Sequence, residues 1–322
     1  MEHVSGDKLQ ELPDAAGDRP RSTRNLQFNL EQSAIYGGVS GARLGVEQFE
    51  VADGLTIRQT FAHVMCPYIM AFAPPDSPSK PHPGPWRPVS GGVGFDVCIE
   101  VALGEGASPA GFDRVNTIWW TLSLMRLVTD LPLVLPVLSD TRFAEAAHSV
   151  HEPRLWPVEV SRPRLGLRVS DDTIGGEHLA IVAALLAPGS ALMDIDHFNR
   201  AYQTWDQAPF AHSTGAAMVM IWAALETMFR PGPNNLTKRL SKAIATHLEK
   251  PGTTREALQQ KVAALYELRG SSVHDSQEAT GVALADSASL ARRAFMVCMS
   301  EGAVPDCEAL LQRWSAEHTQ NR

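Results

Sequence analysis

Arg269 and His274 stand five residues apart and are the pair in this chain best suited to chemistry on an oxyanion. Histidine, with an unperturbed pKa of about 6.5, takes up or gives away a proton near neutral pH. Arginine stays charged and offers a planar fork that matches two phosphate oxygens at once, which a lysine ammonium does not. Roughly one R-x4-H pair arises by accident in a chain of this composition, so the neighbouring residues must decide what it means. Leu258, Val262 and Leu265 fall at i, i+4 and i+7, the buried stripe of an amphipathic helix, and Arg269 takes the next place at i+11. A permanent charge thus occupies a position where an aliphatic side chain is expected.

Five residues at about 100° each turn two side chains roughly 140° apart on an unbroken helix. For Arg269 and His274 to meet, the helix must end between them. Gly270, Ser271 and Ser272 suit such an end, because glycine tolerates a left-handed terminus and serine recaps the backbone. Two plainer readings stand beside this one. Arg269 complements the negative end of its helix dipole, and His274 is an ordinary residue packed after a helix. Glu226, on a neighbouring helix, is either the group that orients Arg269 or His274 or a solvated helix residue.

The elements that position these residues are read from pattern. The 322 residues are 44% hydrophobic and 20% charged, a length of roughly one and a half to two average domains with real cores. Residues 1–25 are polar, charged and rich in Pro and Gly, the composition of a disordered leader. Residues 26–175 read as a mixed α+β domain. Leu55–Phe61, Val64–Phe72, Gly94–Leu103, Leu131–Leu138 and Gly166–Val169 have strand character, and Phe112–Leu127 has the length and spacing of a helix. Seven prolines between Pro74 and Pro88 predict a loop. Residues 176–322 read as helices alone. These are Leu179–Leu186, a helix capped by Asp194 or Asp196 and running to Trp205, one from Ser213 to Phe229 stopped by Pro231-Gly232-Pro233, then Leu236–Leu248, Thr254–Arg269, Val282–Glu301 and Asp306 to about Glu317. The fold class is therefore α+β, a mixed N-terminal domain followed by an all-α bundle.

Composition and absent motifs exclude several classes. With 28 Lys and Arg against 36 Asp and Glu, the net charge is −8, so nucleic-acid contact must be local. The locally basic stretch is Leu236–Arg269, where Lys238, Arg239, Lys242 and Lys261 are candidate RNA contacts and a solvated helix surface is the alternative. The sequence has no P-loop, dinucleotide fingerprint, H-E-x-x-H or G-x-S-x-G. His148, His151 and Glu152 form a weak cluster beside Pro153 with no second cluster to complete it, and no metal or cofactor is expected. Cys66, Cys98, Cys298 and Cys307 form no C-x-x-C pair, the N-terminus lacks the order of a signal peptide, and Thr117–Leu138 is broken by Arg126, Asp130, Pro132 and Pro136. The expectation is a cytoplasmic chain without a membrane span.

Over residues 176–301 the chain resembles the HEPN superfamily, most closely the ApeA-like HEPN domains. The resemblance rests on Trp222-Ala223-Ala224-Leu225-Glu226, the Pro231 break, Leu240-Ser241-Lys242-Ala243-Ile244-Ala245, and Tyr266-x-x-Arg269 leading to Val273-His274. It implies a helical-bundle endoribonuclease, a metal-independent hydrolase acting on single-stranded RNA as a homodimer, with two R-x4-6-H segments facing across a cleft, and it points to antiviral defence. In that setting His274 moves protons at the ribose 2′-hydroxyl or the 5′-oxygen, Arg269 holds phosphate, and Glu226 orients them. Gly270 stands where active members often carry a polar residue, which keeps a non-catalytic binding or dimerisation module as the alternative. Ser276 stands where one toxin subgroup carries a modifiable tyrosine, which argues against a nucleotidyltransferase partner. Residues 26–175 carry no readable motif and are left as a candidate surface for a protein partner or trigger.

Overall fold

The computed structural model describes residues 33–66, 69–71, 77, 87–89, 93–150, 152–159, 172–274 and 281–320. The leader, the strand expected at Gly166–Val169, and all of the Pro74–Pro88 loop except Ser77, Arg87 and Pro88 lie outside the described residues.

The first region contains β1 (Ile35–Ser40), β2 (Arg43–Leu44), β3 (Gln48–Ala52), β4 (Leu55–Cys66), β5 (Ile69–Ala71), β6 (Arg87–Val89), β7 (Val93–Leu103), α1 (Arg114–Thr129), β8 (Val134–Ser139), β9 (Leu155–Pro157) and β10 (Thr173–Ile174). Six strands form an antiparallel sheet in the order β3-β4-β7-β1-β8-β9. Where the pattern suggests two strands, β4 runs unbroken to Cys66, and a register shift between Gln59 and Ala62 absorbs the irregularity. β1 carries Gly37 and Gly38 because both faces of the strand are closely approached. A Cβ on Gly37 would sit 2.5 Å from Ile118 Cγ2 of α1, and one on Gly38 would sit 2.7 Å from the Phe143 ring.

α1 explains the apolar stretch that begins at Thr117. Asp113 caps it by accepting from Asn116 N at 2.8 Å, and every residue from Arg114 to Val128 is buried. The helix has no solvent face because the sheet covers one side and helices cover the other. Those helices are α2 (Gly176–Leu192), α3 (Asp196–Gln207), α4 (Thr214–Phe229), α5 (Leu236–Leu248), α6 (Thr253–His274), α7 (Gly281–Glu301) and α8 (Cys307–Gln320). α2 does not stop at Leu186 but continues through Pro188 to Leu192. Its Gly189 leaves room for the Trp120 indole, whose Nε1 donates to Leu186 O at 3.0 Å, so tertiary packing overrides the proline. The α3 cap also differs from expectation: Ile195 precedes the helix and Asp196 lies in its first turn. Ser213 does cap α4, accepting from Ala216 N at 3.2 Å, and α4 ends at Phe229 ahead of Pro231.

Strands give way to helices at Gly176, but the core does not divide there. One continuous cluster of buried apolar side chains runs from Ile35 in β1 through Trp119, Trp120 and Phe198 to Leu310 in α8.

Candidate functional site

α6 is the largest departure from the sequence reading, because it does not end at Arg269. Gly270 keeps a helical backbone and the helix proceeds to His274 without the expected left-handed cap. A Cβ at Gly270 would meet nothing within 4 Å, so glycine here answers no crowding and simply weakens the last turns. Positions 269 and 274 therefore lie roughly 140° apart around one axis. The His274 side chain and residues 275–280 lie outside the described atoms.

Arg269 occupies the predicted stripe beneath Val262 and Leu265, which are buried. Glu226 of α4 reaches it, as the sequence suggested for an orienting carboxylate, with Oε1 3.5 Å from Arg269 Nη2. The same oxygen accepts a shorter bond, 2.8 Å, from the Tyr266 hydroxyl. The Arg269 guanidinium carbon lies 5.5 Å from the centre of the Tyr266 ring, within cation–π range, and the Trp222 ring packs on Tyr266 in a T-shape with centroids 5.2 Å apart and planes at 83°. Burial, then the hydrogen bond to Glu226 and its charge, push the Tyr266 hydroxyl up to about 12, against a pull from Arg269. The side chains of Arg269 and Glu226 are 27% and 28% exposed, so the cluster sits at the rim of the bundle. Arg269 Nε and Trp222 Nε1 are shielded from solvent and have no hydrogen-bond partner among the described residues. Tyr266 entered the sequence reading only as part of the family-like Tyr266-x-x-Arg269 motif, with no chemical role, although its i, i+3 spacing from Arg269 signals a shared face.

Three of the four cations expected to touch RNA have partners of their own. Arg239 donates to Pro231 O at 2.6 Å and pairs with Glu308 of α8. Lys242 lies over the Trp314 ring at 5.5 Å, and burial followed by the charge of Lys238 lowers its pKa. Lys261 pairs with Asp286 of α7 at 2.9 Å, and Lys238 alone of the four is exposed with no acidic partner within 4 Å among the described residues. Other cations are free of such pairing. α3 and α4 pack as an antiparallel pair, so His197 and Arg200 at the start of α3 lie beside Arg230, which ends α4 in the left-handed conformation. Arg200 and Arg230 are exposed, with no carboxylate within 4 Å among the described residues. Burial, then Arg230 and Arg200, lower the His197 pKa against the opposing charge of Asp196.

A second arginine cluster is closed. Arg126 of α1 donates from Nε to Leu133 O at 2.8 Å, from Nη1 to Asp206 at 3.1 Å, and from Nη2 to Glu159 at 2.5 Å. Ser123 donates to the same Asp206 at 2.7 Å, and Leu135 N donates to Glu159 at 2.8 Å. Burial pulls the Arg126 pKa down, but Asp206 and Glu159 outweigh it and the net shift is upward.

Among the described residues no three His, Cys, Asp or Glu side chains are placed to hold a metal ion, and His151 lies outside them. No helix among them is long and apolar enough to cross a membrane. No protein-family model, curated protein or solved structure shows a significant match to the chain.

Proposed function

We propose that the chain is a metal-independent endoribonuclease for single-stranded RNA, with Arg269 binding the scissile phosphate and His274 transferring protons. The observation that carries this reading is the Arg269 guanidinium, held at the bundle rim by Glu226 and Tyr266, 27% exposed and with its nearest carboxylate 3.5 Å away. The divergence of positions 269 and 274 along α6 makes a homodimer part of the proposal, with two α6 ends facing across one RNA strand. An imidazole takes the 2′-hydroxyl proton, the 2′-oxygen attacks phosphorus, and the P–O5′ bond breaks. A second imidazole protonates the departing 5′-oxygen, leaving a 2′,3′-cyclic phosphate. Beyond the cluster the RNA passes Arg230 and Arg200, which are exposed and have no carboxylate within 4 Å among the described residues.

The unbroken α6 favours a second reading, a helical binding or dimerisation module in which Glu226 neutralises Arg269. Cleavage of a labelled single-stranded RNA in the presence of chelator separates the two. In the nuclease, His274→Ala lowers the rate by about a hundredfold to ten-thousandfold while the fold is kept. Arg269→Lys rescues an Arg269→Ala loss poorly, because a point charge lacks the fork. Cleavage that survives His274→Ala, or that stops with chelator, rejects the nuclease reading. A single-chain mass in light scattering at micromolar concentration rejects the dimer.

A further inference from the structure

We propose that Tyr266 is a positioning residue that keeps Glu226 from closing on Arg269, so that the guanidinium holds one edge open for a phosphate oxyanion. The inference rests on the assignment of Arg269 as the phosphate-binding group and supplies the device that keeps it available.

An unobstructed arginine and carboxylate prefer a two-pronged pair with N···O separations of about 2.7–2.9 Å. Glu226 and Arg269 do not make one. Their closest approach is 3.5 Å, and the oxygen concerned is engaged by the Tyr266 hydroxyl at 2.8 Å. Tyr266 is itself held in place, edge-on to the fully buried Trp222. Its ring also faces the guanidinium, so one side chain both supports the arginine and engages the carboxylate oxygen nearest to it. The cost is visible at Arg269 Nε, a shielded donor with no acceptor among the described residues, where such donors ordinarily have one. The side chain is partly exposed and its nearest carboxylate stands 3.5 Å from Nη2, so an acceptor is lacking at that end and a phosphate oxygen supplies it. Without the hydroxyl, Glu226 loses its shorter bond and closes on Arg269 as a neutral ion pair.

The test is made on the full chain with inorganic phosphate as the probe, read from the Arg269 Nε–H resonance by ¹⁵N NMR. In the wild type phosphate shifts that resonance saturably. Tyr266→Phe, which keeps the ring and its packing, weakens phosphate binding about tenfold, the scale of a hydrogen bond to a charged group. The Tyr266→Phe/Glu226→Gln double variant regains wild-type affinity to within about twofold, because glutamine cannot neutralise arginine. A purely structural tyrosine would not show that rescue. Ultraviolet titration gives a second readout, in which Glu226→Gln moves the Tyr266 ionisation down from about 12 toward its ordinary value. The proposal is overturned by phosphate that leaves the wild-type resonance unmoved, by Tyr266→Phe binding as the wild type does, by a double variant as weak as the single one, or by an unmoved tyrosine titration. The expected phosphate pattern in a chain that does not cleave RNA would remove the nuclease reading and leave the role of Tyr266 standing. Cleavage without that pattern would do the reverse.

Discussion

Arg126 and Arg269 each put a permanent charge into an apolar run, and the protein treats them in opposite ways. Arg126 is 6% exposed, and its donors reach a carbonyl, Asp206 and Glu159 at hydrogen-bond distance. Arg269 is about a quarter exposed and meets one carboxylate at 3.5 Å, with its Nε unpaired among the described residues. Asp206 and Glu159 also accept from Ser123 and Leu135 N yet still reach Arg126 at hydrogen-bond distance, whereas Glu226 stays nearer to Tyr266 than to Arg269. Residue type alone separates the two poorly. The saturation of the donors distinguishes an arginine that holds elements together from one that can still bind something.

The comparison is broken most directly at Arg126. Its replacement by alanine leaves Asp206 and Glu159 as buried charges without their cation and costs about 3–5 kcal/mol, read as a lower midpoint in urea unfolding. A loss no larger than that of a surface variant would show that the closed cluster is not structural. A smaller effect belongs to the open side of the molecule. Exchanging Arg200 and Arg230 together for alanine lowers affinity for single-stranded RNA and reduces the slope of log K against log salt by about 1 to 2, one increment for each phosphate no longer neutralised. An unchanged slope sends the RNA elsewhere.

His247 sharpens the contrast through pH. It lies edge-on to Phe229, with Nε2 3.5 Å from Ala294 O and 3.6 Å from Cys298 Sγ. Burial, the largest influence, lowers its pKa, with Ala294 O and Glu301 opposing and Arg313 assisting. A depressed folded pKa gives stability that is present above the unfolded value of about 6.5 and is lost as pH falls through the folded value. Melting temperatures taken between pH 7 and pH 5 should therefore decline, and His247→Gln should flatten that decline. A slope untouched by the substitution would place the acid sensitivity in other groups. The smallest expected change is the stability of Arg269→Ala, no more than about 1 kcal/mol for a pair this exposed. A loss as large as that of Arg126→Ala would erase the distinction between the two clusters.

Much of the helical framework was legible because its punctuation is local. Leu236–Leu248 matches α5 residue for residue, and Val282–Glu301 matches α7 to within one residue. Proline and glycine misled where packing or solvent decided instead. Pro188 lies inside α2, and Gly270 lies within α6. β1 was not distinguished as a strand because Gly37 and Gly38 carry no strand signal of their own, their small size being required by Ile118 and Phe143 far along the chain. At the candidate site the place of Arg269 was readable from the stripe, whereas Glu226 was left between orienting Arg269 or His274 and being a solvated helix residue. The sharing of Glu226 with Tyr266 was not readable, since it depends on how two helices are rotated about their axes. The partners of Arg239 and Lys242, Glu308 and Trp314, were not legible because they lie on α8, far along the chain.

The wholly buried α1 has a kinetic corollary. Its amide protons have no route to water by fraying or local opening, because sheet and helices both cover it and their apolar side chains form one cluster. Hydrogen–deuterium exchange at Trp119, Trp120 and Leu122 should proceed only when the sheet and the helices come apart together. These amides would then be the slowest clock in the molecule, and their exchange rate a measure of its global unfolding.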